Sequence, residues 1–174
     1  MDGITIKNVL AGNRLTGPVF KGCFMNDASS IFHYLGFEND YAFILNTIVS
    51  VEQVGHWVVF YRRGNVLYFF DSLGRKPSFY KGSIARFYHL YNGAREIVLE
   101  RGIQYEFSAV CGVYAILLLY FMSKNRTSVS FVKNFRNVNK TVNDRRVLTM
   151  YRRISNEKFC NIFNFTCSPA KNNM

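Results

Sequence analysis

The stretch HWVVFYRRGNVLYFFD, residues 56–71, decides the fold. Its two halves, 56–61 and 66–71, are rich in aromatic and β-branched residues, which favour β-strands. The segment Arg62-Arg63-Gly64-Asn65 between them is typical of a turn, so the sequence predicts a β-hairpin here. Because both faces of both strands are apolar, we expect the hairpin to lie centrally in a sheet that is covered on two sides.

Further elements are predicted on either side of this hairpin. Residues 96–100 (EIVLE) indicate another short strand, and residues 79–91 (FYKGSIARFYHLY) show apolar positions near helical spacing. The apolar segment 41–51 fits a buried helix or a buried strand, because periodicity cannot separate the two. Residues 1–30 contain several glycines and a proline and are interpreted as loops with one short helix. These elements together indicate an α+β protein.

Two helices are predicted in the second half of the chain. Residues 108–122 (SAVCGVYAILLLYFM) are apolar on nearly every side, which indicates a buried central helix with Ser108 as its N-cap. The apolar run within it, 109–122, is too short to cross a membrane. Residues 143–154 (NDRRVLTMYRRI) place four apolar residues at i, i+3, i+4 and i+7, which predicts a helix docked on the domain.

Length and cysteine content restrict the class of protein. A chain of 174 residues with 49% hydrophobic residues is expected to fold as one domain, 1–174. The N-terminal residues do not have the pattern of a signal peptide, so we expect a non-secreted protein in a reducing compartment. Wide cysteine spacing favours neither a disulfide framework nor a zinc site, so no metal or organic cofactor is expected; the four cysteines are Cys23, Cys111, Cys160 and Cys167.

Positive charge is concentrated in the C-terminal region. The net charge is +11, and residues 124–174 hold 11 Lys and Arg residues against two acidic ones. Such a concentration favours a polyanionic partner such as nucleic acid. A solvated basic surface that maintains solubility explains it equally well, so charge alone leaves both interpretations open.

His56 and Asp71 are predicted to meet. In a hairpin that turns about Arg63 and Gly64, residues whose numbers add to 127 face each other, and these two are such a pair. Directly opposed residues have Cβ atoms about 5 Å apart, so an imidazole N–H can reach the carboxylate. The pattern is that of the orienting pair in a nucleophilic triad, although a His and an Asp that merely end two strands would give it too.

Cys111 is the candidate nucleophile. It falls in the first turn of the predicted buried helix, where free N–H groups and the helix dipole stabilise a thiolate. Gly112 costs a helix about 1 kcal/mol relative to alanine and would give a substrate backbone room to approach the sulfur. Gln104, seven residues earlier, could donate to an oxyanion beside the Cys111 N–H. A small hydrophobe in a buried helix and an ordinary loop glutamine remain the alternative interpretations.

The ordered series Gly55-His56-Trp57, Asp71, Gln104 and Cys111-Gly112 resembles adenain, the adenovirus-type maturation protease family. The segment 17–22 (GPVFKG) is similar to the family's GPYFxG segment, residues 44–47 (ILNT) to its IVNT, and the 143–154 helix to its late Arg-rich helix. The resemblance covers about residues 15–155, with sparse identity between these motifs.

The resemblance implies a papain-like α+β fold with a central mixed sheet around hairpin 56–71 and the nucleophile at the N-terminus of a buried helix. It implies a monomeric cysteine endopeptidase that cleaves viral precursor polypeptides at glycine-containing sites during virion maturation, in the virion and host nucleus, with DNA as activator. His56, Asp71, Gln104 and Cys111 would be catalytic. Substrate would bind at Gly55, Trp57 and Gly112, and DNA would bind at Arg145, Arg146, Arg152 and Arg153.

Two positions depart from the family pattern. The family's acid is commonly Glu, whereas Asp71 resembles the acid of SUMO-directed proteases. The family's peptide cofactor attaches through a cysteine where this chain has Glu96, which argues against covalent peptide activation. The acid leaves a protease that removes SUMO or ubiquitin-like proteins as an alternative, and the basic character of the chain leaves an inactive basic DNA-binding virion protein as another.

Overall fold

A computed structural model describes residues 1–37, 39–48, 55–91, 95–136 and 138–162, with side chains as far as residue 155. The strands are β1 Phe20–Met25, β2 Tyr41–Asn46, β3 Trp57–Arg63, β4 Val66–Phe70 and β5 Arg95–Leu99. The α-helices are α1 Gly3–Ala11, α2 Gly82–Leu90, α3 Cys111–Ser123, α4 Ser128–Val132 and α5 Lys140–Ile162, and 3-10 helices span Ser29–Gly36 and Pro77–Phe79.

The five strands form one mixed sheet in the order β1-β2-β3-β4-β5. Strand β3 pairs antiparallel with β2 on one side and with β4 on the other, whereas β1 pairs parallel with β2 and β5 pairs parallel with β4. The hairpin β3–β4 therefore lies in the middle of the sheet. The predicted α+β class and central mixed sheet are confirmed.

Both faces of the hairpin are buried, as its apolar pattern predicts. On one face Val59, Tyr61 and Phe70 pack in the cluster that contains α3. On the other, alternate residues such as Val58 and Phe60 pack in a second cluster made largely of aromatic rings. Alternation along a strand sends successive side chains to opposite faces, so a strand that is apolar throughout can fill two cores at once.

The predicted register of the hairpin is wrong. Val59 pairs with Phe70 and Arg63 with Val66, so facing residues have numbers adding to 129. The loop is Gly64-Asn65, with Gly64 in the left-handed region at φ 54°, rather than a turn centred on Arg63 and Gly64. His56 and Asp71 therefore do not face each other within the ladder. His56 directly precedes β3 and Asp71 directly follows β4, so both lie at the same end of these two strands.

The helices agree with the sequence in kind but differ in their bounds. Helix α3 begins at Cys111 with Val110 as N-cap, and Ser108 instead donates its hydroxyl to the Tyr105 carbonyl. The predicted helix 79–91 is α2, and Phe79 is exposed ahead of it. Helix α5 is longer than predicted, and its apolar stripe packs on the core: Val147, Met150, Tyr151 and Ile154.

Some segments differ from the prediction or lie beyond what the structure describes. Strand β1 falls in a region predicted as loop and one helix, because its glycine-containing sequence FKGCFM has no clear alternation. The apolar segment 41–51 begins as β2, and its last three residues lie outside the described residues, as do residues 163–174 of the basic region. Among the described residues, no helix combines the length and apolarity of a membrane span.

Candidate active site

His56 and Asp71 make a close side-chain contact at one end of the central strands β3 and β4. His56 Nε2 lies 2.5 Å from Asp71 Oδ1, and the Asp71 side chain is fully buried. The backbone of His56 is fixed by Thr47, whose hydroxyl accepts the His56 N–H at 3.0 Å and whose own N–H donates to the His56 carbonyl at 2.8 Å. The Thr47 bonds thereby fix the backbone of His56, and the Asp71 contact fixes its ring.

Asp71 accepts hydrogen bonds from three further donors. The Leu73 N–H donates to Oδ1 at 2.7 Å, the Arg75 N–H donates to Oδ2 at 3.2 Å, and the Tyr80 hydroxyl donates to Oδ2 at 2.6 Å. Burial favours the neutral acid, but the hydrogen bond and charge of His56, with the bonds from Tyr80 and Leu73, hold the pKa of Asp71 below its usual value. A buried carboxylate with this many donors is a fixed negative charge.

Cys111 is the first residue of α3 and lies close enough to the His56 ring for the two to act on each other electrostatically. The backbone N–H groups of Trp57 and Gly112 also act on the Cys111 sulfur. Since Nε2 of His56 faces Asp71, Nδ1 is the nitrogen available to the sulfur. The structure thus brings Cys111, His56 and Asp71 together in one chain of contacts, although they are far apart in sequence.

The electrostatic interactions among Cys111, His56 and Asp71 favour a thiolate and an imidazolium. Burial favours the neutral ring, but the hydrogen bonds from His56 to Asp71 and Cys111, with the charges of both, raise the pKa of His56 to about 9. Burial likewise favours the thiol, yet the hydrogen bond and charge of His56 and the two backbone N–H groups hold the pKa of Cys111 below its usual value. A thiolate is the reactive form of cysteine.

Gln104 is buried close to the residue that follows the acid. Its Oε1 accepts the Ser72 hydroxyl at 2.5 Å, and its Nε2 donates to the Ser108 carbonyl at 2.7 Å. The N–H groups of Ile103 and Gln104 both donate to the Ser72 carbonyl, at 2.8 and 2.9 Å. A side-chain amide has two N–H hydrogens, and the bond to Ser108 uses one. Donation of the other to an oxyanion stays a prediction.

Two of the three residues predicted to bind substrate line one cavity, which Cys111 itself does not line. A cavity of about 580 Å³ is lined by Gly55 and Trp57 together with residues of β1, β2 and the first turns of α1. A Cβ at position 55 would overlap the side chains of Asn46 and Ile48, so a larger residue here would require both to move. The Trp57 indole N–H donates to the Met1 carbonyl at 3.0 Å, which places the N-terminal residues against the cavity wall.

Gly112 has a packing explanation in the structure. A Cβ there would lie 3.0 Å from Ile6 Cδ1, 3.3 Å from Met1 Cβ and 3.5 Å from Trp57 Cδ1. The chain's own residues therefore occupy the space that a side chain at this position would need. A role for Gly112 in binding a substrate backbone stays a prediction.

The four arginines predicted to bind DNA all lie on α5, and all four are exposed: Arg145, Arg146, Arg152 and Arg153. The apolar stripe of the helix faces the core, so the charged groups point into solvent. Exposure is necessary for binding DNA, and it equally fits a solvated surface. Their DNA contact stays a prediction.

Three residues that support the site were not predicted from the sequence. Thr47 fixes His56, Ser72 holds Gln104, and Tyr80 donates to Asp71. Thr47 belongs to the ILNT segment, whose resemblance to adenain is the one sequence signal for it, and Ser72 directly follows the predicted acid. No periodic pattern marks Tyr80, because its contact with Asp71 depends on the path of the intervening turn and 3-10 helix.

The fold has a counterpart among solved structures. The chain is similar to the crystal structure of the ASFV pS273R protease, with a TM-score of 0.53 and 17% sequence identity over 80% of this chain and 63% of that chain. This chain has the fold of a protease. It spans 63% of the length of the ASFV protein, so part of that protein has no counterpart here. No protein-family model and no curated protein matches the sequence.

Proposed function

We propose that the chain is a cysteine endopeptidase with Cys111 as nucleophile, His56 as acid and base, Asp71 as orienting acid and Gln104 as oxyanion donor. The observation that carries the proposal is that His56 Nε2 contacts buried Asp71 while the same ring lowers the pKa of Cys111 at the start of α3. A packing cysteine needs neither a charged partner nor a lowered pKa.

The first step follows from the charge arrangement. The Cys111 thiolate attacks the carbonyl carbon of the scissile peptide bond, a C–S bond forms, and the carbonyl oxygen becomes an oxyanion. His56 then gives its proton to the leaving amine, the C–N bond breaks, and an acyl-enzyme remains. With a pKa of about 9, His56 holds that proton at neutral pH.

The second step regenerates the enzyme. His56, now neutral, takes a proton from water while the water oxygen attacks the thioester, and the C–S bond breaks to release the carboxylate product. Throughout both steps the Cys111 backbone N–H, which has no partner within its own helix because it is in the first turn, donates to the oxyanion alongside Gln104.

For the substrate we propose viral precursor polypeptides cleaved at glycine-containing sites during virion maturation. The support is the resemblance to adenain and the likeness to a protease of ASFV. Trp57, whose backbone N–H acts on the Cys111 sulfur, lines a cavity together with Gly55, and a cleft walled by an indole ring favours substrates with small residues next to the scissile bond. Removal of SUMO or ubiquitin-like proteins is the second candidate, because the acid is Asp71.

The test compares the two substrate classes in one assay. A glycine-containing viral-type peptide and a set of ubiquitin-like conjugates are incubated with the wild type, with Cys111→Ala and with Cys23→Ala. We expect cleavage of the peptide by the wild type and by Cys23→Ala, and none by Cys111→Ala. Preferential cleavage of the conjugates would favour removal of ubiquitin-like proteins over virion maturation as the function. Turnover by Cys111→Ala at the wild-type rate would reject a cysteine protease.

DNA assistance is proposed separately, through Arg145, Arg146, Arg152 and Arg153. Changing all four to Gln should weaken DNA binding and lower the salt slope by up to about 0.9 for each phosphate that is no longer neutralised. Cleavage of a short peptide without DNA should remain at the wild-type rate, because the four side chains are exposed away from the core.

A control variant removes the same charge elsewhere, by changing Lys76, Lys81, Arg86 and Arg95 to Gln. These residues are also exposed and lie outside α5. Equal loss of DNA affinity in both variants would show that binding depends on net charge alone. Unchanged affinity in the α5 variant would reject the proposed DNA site.

A further inference from the structure

Helix α5 holds the loop that carries Gln104 on both sides of that residue. Asn143 donates from Nδ2 to the Ile103 carbonyl at 3.1 Å, and Asp144 Oδ2 accepts the Tyr105 backbone N–H at 3.3 Å. The residue before Gln104 and the residue after it are therefore both tied to the first turns of α5.

The two anchoring side chains are buried polar groups. Asn143 is 2% exposed and Asp144 is 6% exposed. Asp144 Oδ1 also accepts the hydroxyl of Tyr114 at 3.0 Å, and Tyr114 lies on α3 three residues after Cys111. Burial and then the charge of Asp144 raise the pKa of Tyr114, so this phenol stays protonated as a donor. Asp144 thus connects α5, the Gln104 loop and the helix of the nucleophile.

The opposite side of the loop is fixed by the turn that follows the acid. The Ser72 carbonyl accepts the N–H groups of Ile103 and Gln104, and the Ser72 hydroxyl donates to the Gln104 side chain. The loop is therefore held between the 71–74 turn and α5. An oxyanion donor is useful only if it is already in place when the charge develops, which requires support of this kind.

We propose that Asn143 and Asp144 are positioning residues that hold the Gln104 loop where its amide meets the oxyanion. This inference rests on the proposed function and extends it to the N-terminal turns of α5. The carboxylate of Asp144 touches no reacting atom. It acts through the Tyr105 N–H and the Tyr114 hydroxyl, so its loss should lower kcat by misplacing Gln104 and leave the Cys111–His56 pair intact.

The experiment measures kcat and KM for a glycine-containing peptide in Asp144→Ala, Asn143→Ala, Gln104→Ala and the Gln104→Ala/Asp144→Ala double variant. We expect Asp144→Ala to lower kcat roughly 10-fold or more with KM within about twofold of the wild type. Alkylation of Cys111 by iodoacetamide, which forms no oxyanion, should proceed at the wild-type rate. In the Gln104→Ala background, adding Asp144→Ala should change kcat by less than about twofold, because the two residues act as one unit.

Val147→Ala is the matched control for α5. Val147 is fully buried on the same helix and packs in the core, so its truncation destabilises α5 without touching the loop. We expect a lower unfolding temperature and wild-type kcat. An equal kcat loss in Val147→Ala, wild-type kcat in Asp144→Ala, or independent effects that multiply in the double variant would each overturn the proposal.

Hydrogen exchange at the Tyr105 amide separates this inference from the proposed function. Asp144→Ala should speed that exchange while Val147→Ala leaves it slow, and this result supports the anchoring whether or not the peptide is cleaved. A wild type that fails to cleave any peptide would reject the proposed function alone. Unchanged Tyr105 protection in Asp144→Ala would reject the anchoring alone.

Discussion

At the scale of single residues, the charge of Asp71 sets the protonation of the His56 ring. The contact between them, at 2.5 Å, raises the pKa of His56, and the three further donors to Asp71 keep the carboxylate ionised while it is buried. The positive ring in turn lowers the pKa of Cys111. The pKa of His56 depends on Asp71, and the pKa of Cys111 depends on His56. A change at Asp71 should therefore alter the ionisation of the Cys111 sulfur.

The pH profile of Asp71→Asn tests this dependence. In the wild type, kcat/KM should rise with pH as Cys111 ionises and fall near pH 9 as His56 loses the proton needed by the leaving amine. Removing the negative charge of Asp71 removes part of what raises the pKa of His56, the rest coming from Cys111, so the falling limb should move toward the ordinary histidine value of about 6.5. A falling limb that stays near pH 9 would contradict this role of Asp71.

Tyr80→Phe removes one donor to the buried acid. A hydrogen bond to a charged group contributes about 1.5–3 kcal/mol, so the variant should lose about that much stability at pH 7. The pKa of Asp71 is depressed in the folded state, so its stabilisation is present above its unfolded pKa and is lost as the pH falls through the folded pKa. The difference between variant and wild type should therefore shrink in acid.

Tyr91→Phe provides the matched control for Tyr80→Phe. Both tyrosines are 8% exposed and lie in the same aromatic cluster, but the Tyr91 hydroxyl has no hydrogen-bond partner among the described residues. Unfolding monitored from about pH 3 to pH 8, across the range in which carboxyl groups titrate, should show Tyr91→Phe near or above wild-type stability. Equal losses of stability in the two variants would mean that the hydrogen bond from Tyr80 to Asp71 does not stabilise the folded protein.

At the scale of elements, the hairpin and the buried helix could be predicted better than their exact bounds. Aromatic and β-branched residues identify β3 and β4, but turn residues alone do not place the loop, and the numbers of facing residues add to 129 rather than 127. His56 and Asp71 still meet, because His56 directly precedes β3 and Asp71 directly follows β4, at the same end of the two paired strands. The support from Ser72, Tyr80 and α5 depends on contacts distant in sequence, which local patterns do not encode.

The 71–74 turn is the element that joins the acid to the Gln104 loop. Gly74 has φ 79°, and a Cβ there would lie against the Gly102 backbone nitrogen and 2.8 Å from the Arg101 carbonyl carbon. Gly74→Ala should therefore cost at least about 2 kcal/mol, from left-handed strain and from overlap with the backbone. It should also lower kcat, because the turn would separate from the loop.

Gly64→Ala is the control for that backbone strain. Gly64 also has a positive φ, 54°, but a Cβ there would meet nothing within 4 Å. Denaturant unfolding should show a loss of about 1–2 kcal/mol from strain alone, and kcat should be unchanged. If the two variants lose equal stability and activity, close contact between the 71–74 turn and the Gln104 loop is not important.

At the scale of the whole molecule, one sheet separates two cores, and the candidate site lies where the central strands β3 and β4 end beside the start of α3. The α+β class could be predicted because apolar strands and an apolar helix require burial on several sides, and the likeness to the ASFV protease agrees with it. The site could be predicted only as a set of residues. Its geometry depends on where β3 ends, where α3 begins and how α5 packs, none of which the sequence specifies locally.

The molecule contains a natural comparison for its central cysteine. Cys23 is half-buried on β1, and burial raises the pKa of its thiol to about 12. Cys111 is more deeply buried, yet His56 and two backbone N–H groups lower its pKa. Burial alone therefore predicts that both of these thiols are inert, whereas the proposed active site predicts that, of the two, Cys111 is the reactive one.

The most direct measurement is the pH dependence of iodoacetamide alkylation in the wild-type protein, with Cys111 and Cys23 each followed by mass spectrometry. We predict rapid alkylation of Cys111 with a midpoint below the usual thiol value of about 8.5, and very slow alkylation of Cys23 over the same range. A Cys111 rate that rises only at a pH of about 8.5 or above, or that matches the rate of Cys23, would contradict the proposed nucleophile.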